Sequence, residues 1–232
     1  YGPGRVEAPV PPAAMKALAA RVGQQLAIGT EGAGRVIAAG QNAQALIGRR
    51  VASFAGGMYS RYRVIPARDC MVLPDGVSAR EGAAAFVNPL TALGFIETMR
   101  AEGHEAMVHT AAASNLGQML VRLCAADGIA LVNIVRSEDQ VALLRAMGAR
   151  HVLDSTSETF RNELEQALTE TGARVVFDAI GGGPLLGMVL TAMEKVATAG
   201  NPYSRYGSNQ VKRGFVYGAL DMSPVTLPRS LG

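Results

Sequence analysis

Cysteine is scarce. Only Cys70 and Cys124 occur in 232 residues, far apart in the chain. A disulfide framework is excluded, and a reducing cytosol is the expected compartment. Long hydrophobic runs are missing: no eighteen consecutive apolar residues occur, so no membrane-spanning helix is expected. Blocks of like charge are missing too. The pI is near 9.1, yet the net charge is only +3, and without a basic cluster nucleic acid is not indicated. There is no internal repeat, low-complexity tract or signal-peptide pattern. An initiator Met is also absent, and with Tyr1 at one end and Ser230-Leu231-Gly232 at the other we expect a piece of a longer protein.

What is present is the material for a core, with 49% hydrophobic and 18% charged residues. The stretch Ala106 to Arg136 carries the clearest pattern. Met107 to Thr110 is a short apolar run suited to a buried parallel strand. Leu116, Met119, Leu120, Leu123 and Cys124 then recur at helical spacing, giving one apolar face. Asp127-Gly128 ends that helix, because glycine tolerates a left-handed cap. Leu131 to Val135 is a second apolar strand. Strand, helix and parallel strand in about 30 residues make a right-handed crossover unit.

The chemistry of such a unit sits at its first turn. A helix N-terminus presents unpaired N–H groups and partial positive charge, which suit a phosphate. Small residues, Ala111 to Ser114, let a backbone approach a pyrophosphate closely. Gly117 stands where tight helix packing is needed, and Ser114 and Asn115 offer side-chain hydrogen bonds. The second strand ends at Arg136-Ser137 rather than at an acid. A guanidinium and a hydroxyl suit a ribose 2′-phosphate, favouring NADP over NAD. The competing reading is a solvated Arg136, with Ser137 as an N-cap.

Upstream, Pro3, Pro9, Pro11 and Pro12 argue against early helix, with a short surface helix from Met15 to Val22. Glu31 to Gly40, Gly48 to Phe54, Tyr59 to Ile65 and Cys70 to Leu73 read as four short strands of a barrel-like β domain. Ser78 and Glu81 form a capping box. Pro89 lies in the first turn of a helix reaching about Arg100. Helices are expected over Asp139–Met147, Glu158–Leu168 and Pro184–Met193. Strands are expected at His151–Leu153, Arg174–Asp178 and Gly214–Leu220. This alternation predicts an α/β doubly wound, Rossmann-type parallel sheet, with its ligand crevice at the strands' C-terminal ends. Thr110 to Ser114, Arg136, Ala179 and Tyr217-Gly218 should then share one cleft. His109 reads as a packed core histidine. Asp178 reads as a hydrogen-bond partner of the loop that follows it.

In order, Tyr1-Gly2, Glu31-Gly32-Ala33-Gly34, Gly48-Arg49-Arg50-Val51-Ala52 and Leu73-Pro74-Asp75-Gly76 open a series of short motifs. Asn88-Pro89-Leu90-Thr91-Ala92, Ala-Ser-Asn-Leu-Gly at 113–117, Val135-Arg136, Met147-Gly148-Ala149, Phe177-Asp178-Ala179 and Tyr217-Gly218 complete it. Together they resemble the zinc-free quinone oxidoreductase and enoyl reductase branch of the medium-chain dehydrogenase/reductase superfamily. The resemblance implies a GroES-like β domain over residues 1–80 and a Rossmann nucleotide-binding domain over 81–232. It also implies NADP(H), and hydride transfer to a quinone, an enone or an enoyl thioester. Asn88 and Thr91 would lie near the nicotinamide, Ser114, Asn115, Leu116 and Gly117 at the pyrophosphate, and Arg136 and Ser137 at the 2′-phosphate. Ala179 would line the cleft, Tyr217, Gly218, Ala219 and Leu220 would pass the nicotinamide end, and Tyr1 matches a proposed proton donor. No metal site is expected: Thr30-Glu31 stands where zinc members carry His-Glu, and no cysteine has partners at ligand spacing. The resemblance further implies a homodimer. The alternative is a non-catalytic NADPH-binding protein of the kind lens-crystallin relatives exemplify.

Overall fold

The computed structural model describes residues 7–200, 202 and 204–229. Helix α1 spans Pro12–Leu18 and runs into a 3-10 turn, Ala19–Arg21. Pro12 opens this helix instead of blocking it, because at the first helical position its missing N–H would have no partner anyway. Strands β1 (Gly32–Arg35), β2 (Arg50–Ser53) and β3 (Met71–Val72) form a small antiparallel sheet with β2 in the middle. Of the four strands expected here, Tyr59 to Ile65 does not form one. Its alternation is real, but no strand among the described residues pairs with it, and Tyr62 and Val64 are 76% and 95% exposed. Alternation without a hydrogen-bonding neighbour does not make a strand. The strand expected over Glu31 to Gly40 stops at Arg35, residues 36–40 are irregular, and a 3-10 helix, Gln41–Leu46, follows.

Helix α2 (Ala79–Gly82) opens on the expected capping box. Ser78 Oγ accepts from Glu81 N, and the Glu81 carboxylate accepts from Ser78 N. Helix α3 (Val87–Ala101) buries Ala92, Phe95, Ile96 and Met99.

The rest alternates as the pattern requires. In order come β4 (Ala106–His109), α4 (Asn115–Asp127), β5 (Ala130–Val135), α5 (Glu138–Ala146) and β6 (His151–Asp154). Then follow α6 (Phe160–Thr171), β7 (Val175–Asp178), α7 (Leu185–Thr198) and β8 (Arg213–Val216). Helix α4 ends at Gly128 in the left-handed conformation, φ 68°. The five strands form one parallel sheet in the order β6-β5-β4-β7-β8. The chain starts in the middle, winds outward through β5 and β6, then crosses back to β7 and β8. The order reverses between β4 and β7.

Each face of the sheet carries its own core. Met107, Leu131, Val135 and Phe177 pack under α3, α4 and α5. Val108, Val132, Ile134 and Val176 pack under α6 and α7. With both faces covered, the strands read as continuous apolar runs. No helix among the described residues is long and apolar enough to cross a membrane.

Candidate active site

The C-terminal ends of β4 and β7 flank the point where the strand order reverses, which is where open α/β sheets bind ligands. Two polar residues knit these ends together. Thr110 Oγ1 donates to Asp178 Oδ1 at 2.7 Å and accepts from Ala179 N at 2.8 Å. Asp178 also accepts from Ile180 N and Gly181 N, at 3.0 and 3.1 Å. Both side chains are buried, so the pair is a brace between two loops.

Beyond β4 the chain turns sharply. Ala111 sits at φ 50°, the one non-glycine positive φ among the described residues, a strained position of the kind that gathers at functional sites. Ser114 caps α4, its Oγ accepting from Gly117 N at 3.2 Å. A Cβ on Gly117 would lie 2.1 Å from the Ala112 carbonyl oxygen, so this position admits glycine only. The N–H groups of Asn115 and Leu116 have no partner among the described residues and belong to the open first turn. The Leu116 side chain turns into the core, so only its N–H faces outward. The turn is tied to the neighbouring strand by Ala112 N donating to Ile134 O, 3.1 Å.

Strand β5 delivers Arg136 and Ser137 to the same sheet edge. Arg136 is exposed and makes no ion pair among the described residues. Ser137 occupies the N-cap position of α5, but its side chain makes no capping hydrogen bond. Gln140 Oε1 takes the local N–H, that of Arg136, at 3.1 Å. The serine hydroxyl is thus not committed to the cap that the competing reading requires.

The end of β8 closes the other side. Gly181 and Gly218 lie backbone against backbone: a Cβ on either would come within 2.3 Å of a carbonyl oxygen, of Gly218 and Ala179 respectively. Tyr217 N donates to Asp178 O, and Leu220 N to Ala179 O. The Tyr217 side chain reaches back across β7 to β4, its hydroxyl 2.7 Å from His109 Nε2. Phe95 of α3 packs on the Tyr217 ring, centroids 4.8 Å apart. Asn88 and Thr91 lie on α3 seven and four residues before Phe95, so the three share one face. Burial, with the Asp178 carboxylate adding to it, pushes the Tyr217 phenol up to about 12. Burial also holds the His109 imidazole down at about 4, hence neutral at pH 7.

The sheet edge therefore gathers Ser114 to Gly117, Arg136, Ser137, Ala179 and Tyr217 to Leu220, with Asn88 and Thr91 joined to it through Phe95. Tyr1 lies outside the described residues. Sequence reasoning missed the His109–Tyr217 pair and the role of Glu31. Glu31 Oε2 accepts from Phe86 N and Val87 N at 2.8 and 3.0 Å, capping α3 from the small sheet. The one local signal for the pair was a histidine inside an otherwise apolar strand. A cavity of about 900 Å³ opens on the small sheet, lined by Met58, Tyr62, Val64 and Cys70 among others, but by no expected site residue. Among the described residues no group of three His, Cys, Asp or Glu is placed to hold a metal ion.

A central-start parallel sheet with a capped, amide-rich turn after its first strand defines a dinucleotide-binding fold. A family model described as zinc-binding dehydrogenase matches residues 116–200. The quinone oxidoreductase of Pseudomonas aeruginosa is 30% identical over 158 residues, 66% of this chain and 49% of that protein. Prostaglandin reductase-3 of Bos taurus is 30% identical over 217 residues, 88% of this chain and 52% of its own length. The crystal structure of a putative NADPH:quinone reductase from Mesorhizobium loti is 32% identical. It superposes with a TM-score of 0.71, over 85% of this chain and 54% of that one. The chain belongs to the zinc-free quinone oxidoreductase and enoyl reductase branch of the medium-chain dehydrogenase/reductase superfamily. It spans about half the length of the curated relatives it matches.

Proposed function

We propose that this chain carries the cofactor half of an NADPH-dependent, zinc-independent oxidoreductase that reduces a quinone, an enone or an enoyl thioester. The observation that carries the reading is the convergence on one sheet edge of the Ser114-capped helix terminus and Arg136, which makes no ion pair among the described residues. The free N–H groups of Asn115 and Leu116, with the Gly117 backbone close behind, would hold the pyrophosphate. Arg136 and Ser137 would hold the 2′-phosphate. Asn88, Thr91, Ala179 and Tyr217 to Leu220 would line the nicotinamide slot. When bound, the nicotinamide supplies the hydride. The chain's own part is to orient, to exclude water and to fix which phosphate it accepts. Tyr1 remains the proposed proton donor.

On this reading residues 1–80 are the GroES-like β domain and 81–232 the nucleotide-binding domain. The protein would work in the cytosol as a homodimer. The relatives support the reading: they are a quinone oxidoreductase, a prostaglandin reductase and a putative NADPH:quinone reductase.

Nicotinamide fluorescence during titration with NADPH and with NADH tests it. NADPH should bind more tightly. Arg136→Ala should weaken NADPH by roughly ten- to a hundredfold, as expected for a lost charge-assisted hydrogen bond, and leave NADH almost unchanged. Equal affinities in the wild type would sink the assignment of Arg136. Binding without turnover of any quinone or enoyl thioester would favour the non-catalytic alternative.

A further inference from the structure

Two buried side-chain atoms lack a hydrogen-bond partner among the described residues: His109 Nδ1 and Asn133 Oδ1. Their residues are in-register neighbours on the parallel strands β4 and β5. Registered residues on adjacent parallel strands share a face, here the one covered by α3 and α4. His109 is 0% exposed and Asn133 1%.

The orientation of the Asn133 amide is decided by what surrounds it. Its nitrogen donates to Leu131 O at 3.3 Å and to His151 O, on β6, at 3.1 Å. Flipping the amide would set its oxygen against two carbonyls, so the oxygen is the end left over. That oxygen can only accept. A His109 ring protonated at Nε2 would leave Nδ1 an acceptor too, so two orphan acceptors would be buried on the same face of the sheet. A ring protonated at Nδ1 makes one a donor and the other its acceptor, and the cost of both orphans is removed.

We propose that a small side-chain rotation lets Asn133 Oδ1 accept directly from His109 Nδ1–H, and so fixes the direction of a hydrogen-bond chain that ends at the cleft. With Nδ1 protonated, Nε2 is an acceptor, and the Tyr217 hydroxyl must donate its proton to it across their 2.7 Å contact. The phenol's only proton is then spent inside the protein. Towards the cleft Tyr217 offers lone pairs alone. It is a positioning acceptor for an N–H group, and it does not protonate substrate. This assignment rests on the cofactor reading above, and the N–H it selects belongs to the carboxamide of the nicotinamide. Tyr217 is 37% exposed, so the residue is not sealed in the core.

The experiment has two independent arms. Long-range ¹H–¹⁵N correlation spectra at pH 7 read the tautomer of His109 directly in the cofactor-free protein. The expected ring carries its proton on Nδ1 in the wild type and on Nε2 in Asn133→Val. A wild-type ring protonated at Nε2, or a tautomer indifferent to Asn133→Val, overturns the chain. Asn133→Ser, smaller and still polar, serves if the valine variant does not fold. In the second arm, Tyr217→Phe should weaken NADPH by about five- to tenfold, the effect of one hydrogen bond. Adenosine 2′,5′-bisphosphate, which has no nicotinamide, should bind both proteins alike. Unchanged NADPH affinity in Tyr217→Phe overturns the acceptor role. A wild type that binds neither ligand sinks the cofactor reading instead, while the tautomer still decides the chain.

Discussion

A single carbonyl decides the residue at 117. The Ala112 oxygen stands where any Cβ would go, because α4 must begin within a few residues of the end of β4. Gly117→Ala should therefore open the turn, costing roughly 2–4 kcal/mol by analogy with other strained or overpacked sites. Urea unfolding would show it as a lower midpoint at unchanged slope, and a loss within a few tenths of a kcal/mol would refute the clash. This glycine was legible in the sequence, since a lone Gly one turn into a helix that follows small residues has few other reasons to be there. The partner of Tyr217 was not legible. His109 lies 108 residues away, and only the return of the chain from β8 across β7 brings the two together. Local spacing carries no information at that range. Asp178 was half legible: its place after an apolar strand pointed to the loop it holds, but its bond to Thr110 required the strand order.

At the level of elements, α3 illustrates the same division. Its length and its proline in the first turn follow from periodicity, and the observed Val87–Ala101 lies close to expectation. Its cap does not come from its own neighbourhood. Phe86, at the N-cap, has no side-chain acceptor to offer, and the carboxylate of Glu31, 55 residues earlier, supplies it. Glu31→Ala should cost about 1–2 kcal/mol, as loss of an N-cap does. Amide exchange at Phe86 and Val87 should quicken more than at Met99 in the same helix, and a uniform change along α3 would contradict the capping role. The expected strand at Tyr59 to Ile65 failed for the opposite reason. Its pattern is local and correct, but a strand exists only through a neighbour, and β2 already has β1 on one side and β3 on the other.

For the whole molecule the testable quantity is stability against pH. The His109 imidazole is held at about 4 in the fold against an ordinary 6.5, through burial. The unfolded chain therefore takes up this proton first as pH falls. Stability from this group is full above about pH 6.5 and is lost progressively as pH drops toward 4. The loss approaches about 3 kcal/mol below the folded value. His109→Leu should show a flatter stability curve than wild type between these limits, measured by urea midpoints across the range, and parallel curves would disprove the effect. The alternation that predicted a doubly wound sheet was visible along the chain. The order β6-β5-β4-β7-β8 was not, because periodicity names elements without saying which lie side by side.

The seam between Gly181 and Gly218 has a consequence for how such a pocket can change over time. One bank of the cleft is made of main chain pressed on main chain, where even a methyl group has no room. Replacing nearby side chains cannot widen or narrow that bank. New preferences for the molecule that enters must be written on the opposite bank, by residues of α3 and whatever faces it, and directed evolution of this chain should find its gains there.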